Sequence, residues 1–144
     1  MLAFGFGAGL APRAPGTAGT LAAIPVYLAF SQFSQGIYLL LVVAVGVAGV
    51  WLCQRAADRL GVHDHPGIVW DEFAGFLVTM IAAPRSWLWI LVGFALFRLF
   101  DIWKPWPISW ADRHCKGGLG IMLDDLLAGG FAAVVLYVLV GVAP

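Results

Sequence analysis

The chain has 144 residues, 62% hydrophobic and 11% charged, and its eight basic and eight acidic side chains leave a formal net charge of zero. A mean hydropathy of +0.92 is more than the polar surface of a water-soluble domain of this size can cover, so the composition points to one integral-membrane domain spanning residues 1–144. Zero net charge argues against a nucleic-acid surface or long-range attraction of polyanions, so any anion site has to be local.

The chain opens with MLAFGFGAGLAPR, which lacks the basic start and small-residue cleavage site of a secretory signal and is expected to stay on the mature protein. Ala11 to Thr20, APRAPGTAGT, reads as a loop entering a helix. Thr17 or Thr20 either caps that helix or turns its hydroxyl, with nearby N–H groups, toward phosphate oxygens. Apolar segments follow at Leu21–Phe33, Ile37–Cys53, Phe73–Ala83, Trp87–Phe100 and Met122–Val142. A span needs roughly 20 apolar residues, or about 17 at the short end. The second and fifth segments reach that length; the others do so only with their polar ends, and the third is either a short span or a re-entrant or half-buried helix. The expected fold is therefore an all-α polytopic bundle of about five apolar helices.

If all five cross, every Lys and Arg except Arg85 gathers at one face, and the positive-inside rule puts that face and the N-terminus in the cytoplasm. The acidic residues fall on the same face, where they follow no orientation rule. Mixed charge at one face is what a polar site looks like. Cys53 and Cys115 have no ligand-like spacing and read as free thiols in a reducing compartment. The CX5R spacing of Cys53 and Arg59 lacks the glycines of a phosphate-cradling loop and is read as chance. His63 and His65 in HDHPG read as a solvated loop in the absence of a third well-spaced ligand.

Three acidic stretches carry the chemistry. Asp71 and Glu72 in IVWDEFAG stand where a polar loop turns into an apolar run. The helix dipole accounts for one acid there, at roughly 0.3–1 kcal/mol, better than for two. In FRLFDIWKPWPI, Arg98, Asp101 and Lys104 are spaced i, i+3, i+6 near one helical face. Pro105 is expected to end the helix and push Lys104 into extended geometry, holding a cation beside a carboxylate. A simple salt bridge accounts for Arg98 and Asp101 but not for the rigid KPWP. In GGLGIMLDDLLAG, Asp124 and Asp125 come one or two turns into the last apolar run, too late to be caps. Carboxylates that converge on an open membrane face suit Mg²⁺ held against a phosphate.

Taken in this order over almost the whole chain, APRAPGTAGT, IVWDEFAG, FRLFDIWKPWPI and GGLGIMLDDLLAG resemble the phosphatidylglycerophosphatase A family. The resemblance implies a Mg²⁺-dependent phosphatase of the bacterial inner membrane, its site facing the cytoplasm, that converts the phospholipid phosphatidylglycerophosphate to phosphatidylglycerol. On that reading Asp71, Glu72, Asp101 and Asp124 bind one or two Mg²⁺ ions. Asp101 and Lys104 act at the phosphate, Asp125 is a supporting residue or general base, and Thr17, Thr20, Arg98 and Lys104 contact substrate. The nucleophile is water or an aspartate, although a DxDx[TV] motif is absent. The rival is a cation carrier or channel using the same acids, which calls for mid-membrane carboxylates and inverted repeats; the sequence displays neither.

Overall fold

The computed structural model describes residues 1–62 and 65–143, so His63 and Asp64 of the HDHPG loop lie outside the described residues. The described chain is all-α, as expected. An irregular 3₁₀ stretch, Leu2–Leu10, precedes α1 (Pro15–Phe30), α2 (Gln35–Leu60), α3 (Trp70–Thr79), α4 (Trp87–Trp103), α5 (Ile108–His114) and α6 (Gly117–Val142).

The expectation of about five membrane-length apolar helices does not hold. Among the described residues only α2 and α6, with 26 residues each, are both long and apolar enough to cross a bilayer. At 1.5 Å per residue each is roughly 39 Å long. The ten-residue α3 reaches only about 15 Å, half of a hydrocarbon core. Its apolar character has another cause: seven of its ten residues are buried, and α1, α2, α4 and α6 pack around it. Hydropathy cannot tell a side chain covered by protein from one covered by lipid.

The long helices behave oppositely, since only 22% of the most apolar window of α2 and 28% of that of α6 is buried. Leu40, Val43 and Val47 on α2, and Val134 and Tyr137 on α6, face outward. The core helix of a soluble protein hides such residues; here they form an apolar exterior of the kind a bilayer covers, and the protein is membrane-associated.

Phe73, Phe76 and Leu77 of α3, with Met80 just after it, form the middle of the core with Tyr27, Phe97 and Leu136. The buried Tyr38 hydroxyl ties α2 to this centre by donating to the Leu77 carbonyl at 2.6 Å. Where α3 crosses α6, a Cβ on Gly129 would collide with the Gly75 carbonyl oxygen, and one on Gly75 would lie 2.8 Å from the Asp125 carbonyl oxygen. Only glycine allows the two backbones to touch. That contact lies one turn from Asp71 and Glu72 on α3 and one turn from Asp125 on α6, so it sets how closely the acids approach.

The two ends of the bundle differ. Gln54 accepts a hydrogen bond from the Gly118 N–H at 2.7 Å, joining the C-terminal part of α2 to the start of α6 at the acidic end. At the other end, Gln35 donates to the Ile81 carbonyl at 2.7 Å and Arg85 to that of Phe33 at 3.3 Å.

Helix α1 begins at Pro15, ahead of the Leu21 start expected from hydropathy. Proline suits a first helical position because that N–H has no intrahelical partner. Gly16 to Thr20 are thus helix rather than loop. The cap position belongs to Ala14, without a side-chain cap bond, so neither threonine caps α1.

Candidate active site

At the acidic end a cavity of about 440 Å³ is lined by six carboxylates and one ammonium group. Helix α3 supplies Asp71 and Glu72, α4 Asp101, α5 Asp112, and α6 Asp124 and Asp125; Lys104 follows α4, and Pro15 and Gly16 come from the first turn of α1. The acidic residues of the three sequence stretches therefore meet in one place. The α3 pair sits in the first turn, where the helix dipole favours negative charge and Asp71 Oδ1 accepts the Glu72 N–H at 3.1 Å.

Two cations hold the acids. Arg98 Nη1 contacts Glu72 Oε1 at 2.6 Å, Glu72 Oε2 at 2.7 Å and Asp101 Oδ2 at 2.6 Å. Lys104 Nζ bridges α5 and α6, 2.7 Å from Asp112 Oδ1 and 2.8 Å from Asp124 Oδ2. Burial raises the Glu72 carboxyl to about 7, with help from the negative charge of Asp101; Arg98 and the Thr20 hydroxyl pull the other way. Burial also works against the charge of Lys104, but its hydrogen bonds to Asp112 and Asp124 outweigh this and raise its pKa above the ordinary lysine value.

The structure revises several sequence expectations. Helix α4 does end before Pro105, yet Lys104 is left-handed (φ 47°, ψ 56°), not extended. In this conformation its N–H reaches the Phe100 carbonyl at 2.9 Å and closes the helix. A non-glycine residue in that region costs about 1–2 kcal/mol, and the observed strain falls where the side chain spans two acids. Thr17 and Thr20 do not line the cavity. Thr20 is fully buried behind Glu72, its hydroxyl 2.7 Å from Oε2 and 3.0 Å from the Gly16 carbonyl oxygen. Arg98 also stands behind the carboxylates and not among the lining residues.

Two residues were not singled out from sequence. Asp112 sits in a mixed polar stretch with no apolar periodicity, so only its distance from Lys104 reveals it. Gly16 is required because a Cβ there would collide with Glu72 Oε1 and lie 3.1 Å from Arg98 Nη1. His65 has a local role: its Nδ1 accepts the Gly67 N–H at 3.0 Å in the turn before α3.

The donors suit a hard cation, since all the charged acceptors are carboxylate oxygens. Asp125 adds an orphan: the residue is 3% exposed and its Oδ2 has no hydrogen-bond partner. Among the described residues, however, no three Asp, Glu, His or Cys side chains are grouped tightly enough to enclose an ion. Arg98 and Lys104 offset only part of the charge. Six carboxylates against these two cations repel a phosphate dianion, at about 4 kcal/mol for each pair of like charges 4 Å apart near a protein surface.

An all-helical, membrane-associated protein with an anionic cavity at one end is the class that fold and site define. The sequence matches the model of the family described as Phosphatidylglycerophosphatase A over residues 1–140. Phosphatidylglycerophosphatase A of Escherichia coli (strain K12) is 49% identical over 95% of this chain and 80% of its own length. That of Haemophilus influenzae is 46% identical over 95% of this chain and 85% of its own. No solved structure matches the chain. The chain belongs to the phosphatidylglycerophosphatase A family.

Proposed function

We propose that the acidic cavity is where this phosphoric monoester hydrolase removes the terminal phosphate of phosphatidylglycerophosphate, and that it does so with Mg²⁺. Family membership along nearly the whole chain supports the substrate and the reaction. The observation that carries the metal is electrostatic: a wall of six carboxylates accepts a phosphate dianion only when a multivalent cation comes with it. Asp71, Glu72, Asp101 and Asp124 would hold the cation. When bound, it supplies Lewis-acid polarisation of the phosphoryl group and cancels charge that the acids cannot.

The chain's own residues do the rest. Lys104, kept charged by Asp112 and Asp124, offsets negative charge on the phosphate. Arg98 and Thr20 set the position of Glu72 from behind. Asp125, which lines the cavity, accepts the proton of the attacking water. The water oxygen bonds to phosphorus as the bond to the glycerol oxygen breaks, and that oxygen takes a proton from solvent at the cavity mouth. The acyl chains stay in the bilayer while the headgroup reaches the cavity.

The same reading places the protein in the bacterial inner membrane, with α2 and α6 crossing and the cavity facing the cytoplasm. Charge asymmetry supports the orientation: Arg13, Arg113 and Lys116 adjoin cavity-lining segments, whereas Arg85 is at the opposite end. The test is phosphate release by purified protein from phosphatidylglycerophosphate, phosphatidate and a soluble phosphomonoester, with Mg²⁺ or with EDTA. Release from the first that stops in EDTA is expected. Asp101→Asn and Asp124→Asn are each expected to abolish turnover with helicity intact; full activity in both would remove these acids from the site.

A further inference from the structure

A second cavity, of about 490 Å³, lies between the N-terminal stretch and the C-terminal half of α2, with Leu2, Phe4, Trp51, Arg55, Arg59 and Leu60 among its lining residues. Its volume is in the range of small-molecule sites. Trp51, Arg55 and Arg59 are spaced i, i+4, i+8, one stripe along the helix. The Arg55 guanidinium lies 4.4 Å from the centre of a Trp51 ring. Among the described residues neither arginine has a carboxylate within ion-pair distance. The acidic cavity shares none of these residues.

The floor and the rim differ in chemistry. Leu2, Trp51 and Leu60 are 45%, 56% and 40% exposed, an apolar patch continuous with the outward side of α2. The two arginines stand in the last turns of the same helix, at the level where a spanning helix leaves hydrocarbon for headgroups. Apolar surface from Trp51 and Leu2 beside a pair of guanidiniums without a carboxylate partner among the described residues matches one kind of ligand, an amphiphile with an anionic head.

We propose that this cavity binds an anionic glycerophospholipid of the surrounding bilayer, its phosphodiester between Arg55 and Arg59 and its acyl chain along Trp51 and Leu2. The occupant is a bilayer lipid and not the substrate phosphomonoester, because among the described residues no carboxylate or hydrolytic group lines this cavity. The site orients the enzyme at the headgroup level and keeps an anionic lipid bound to α2.

Native mass spectrometry in detergent, with phosphatidylserine or phosphatidylcholine added, uses lipids that are neither substrate nor product of the proposed reaction, so the result stands apart from the catalytic assignment. Phosphatidylserine should remain bound where phosphatidylcholine does not. The double variant Arg55→Gln/Arg59→Gln should bind it roughly ten-fold more weakly, and Arg55→Lys/Arg59→Lys should keep most of the affinity. Phosphate release from saturating phosphatidylglycerophosphate in micelles should not change in either variant. If circular dichroism shows lost helicity in the double glutamine variant, Arg59→Gln alone gives the reading, with a smaller loss. Equal retention of the two lipids, or glutamine variants that bind like the parent, would overturn the proposal.

Discussion

Replacing Thr20 by valine keeps the shape of the side chain and removes one hydroxyl. In the folded protein that hydroxyl is fully buried and lies 2.7 Å from Glu72 Oε2, and Glu72 itself is 7% exposed. A hydrogen bond to a buried charged group contributes roughly 1.5–3 kcal/mol. Arg98 still reaches the same oxygen at 2.7 Å, so the loss falls at the lower end, about 1.5–2 kcal/mol. In a chain of this length that lowers the thermal midpoint by roughly 5–7 °C, measured by circular dichroism in detergent. Glu72 would also be held less firmly, and kcat should drop about ten-fold. KM should stay the same, because Thr20 does not line the cavity. Thr20→Ser should restore both stability and kcat. A raised KM with an unchanged midpoint would refute this, since it would mean that the hydroxyl meets the phosphate directly.

Three further substitutions probe the same arrangement. Gly16→Ala should cut phosphate release at least roughly ten-fold through its collision with Glu72 and Arg98, although alanine favours a helix over glycine by about 1 kcal/mol; a stabilised, fully active variant would contradict the close approach of α1. Asp112→Asn removes one of the two anions holding Lys104, and should lower phosphate release roughly ten-fold. Because the Asp112 side chain is 37% exposed, the same change should alter the unfolding free energy by less than about 1 kcal/mol. Gly129→Val drives a side chain into the Gly75 carbonyl and should cost roughly 1–3 kcal/mol in denaturant unfolding; parental stability would mean that α3 and α6 do not touch there.

The acids were legible in the sequence because charge is expensive in an apolar chain. Each of Asp71, Glu72, Asp101, Asp124 and Asp125 stands at or inside a hydrophobic run, where a solvated surface role is a poor explanation, and each lines the cavity. Asp112 was not legible for the converse reason, since it sits among polar neighbours. The pairing of Arg98 with Asp101 was legible from its spacing, but the bonds of Arg98 and Thr20 to Glu72 were not. Residue type marks a group as able to bind an oxyanion; only the neighbours decide whether it meets a phosphate or a buried carboxylate.

The order and length of the helices depend on local pattern, so α2 and α6 could be read directly from two long apolar runs. Whether an apolar segment faces lipid or protein is a property of what packs around it, and on that account the sequence left α3 open between a span and a short half-buried helix. One-dimensional pattern alone determined that this chain is all-helical, partitions into membranes and carries acids at costly positions. Tertiary structure alone decided that a ten-residue helix is the core, that two glycines bring α3 and α6 into backbone contact, and that Lys104 is shared by two acids from different helices. Those outcomes depend on contacts between residues far apart in the chain, which no local pattern encodes.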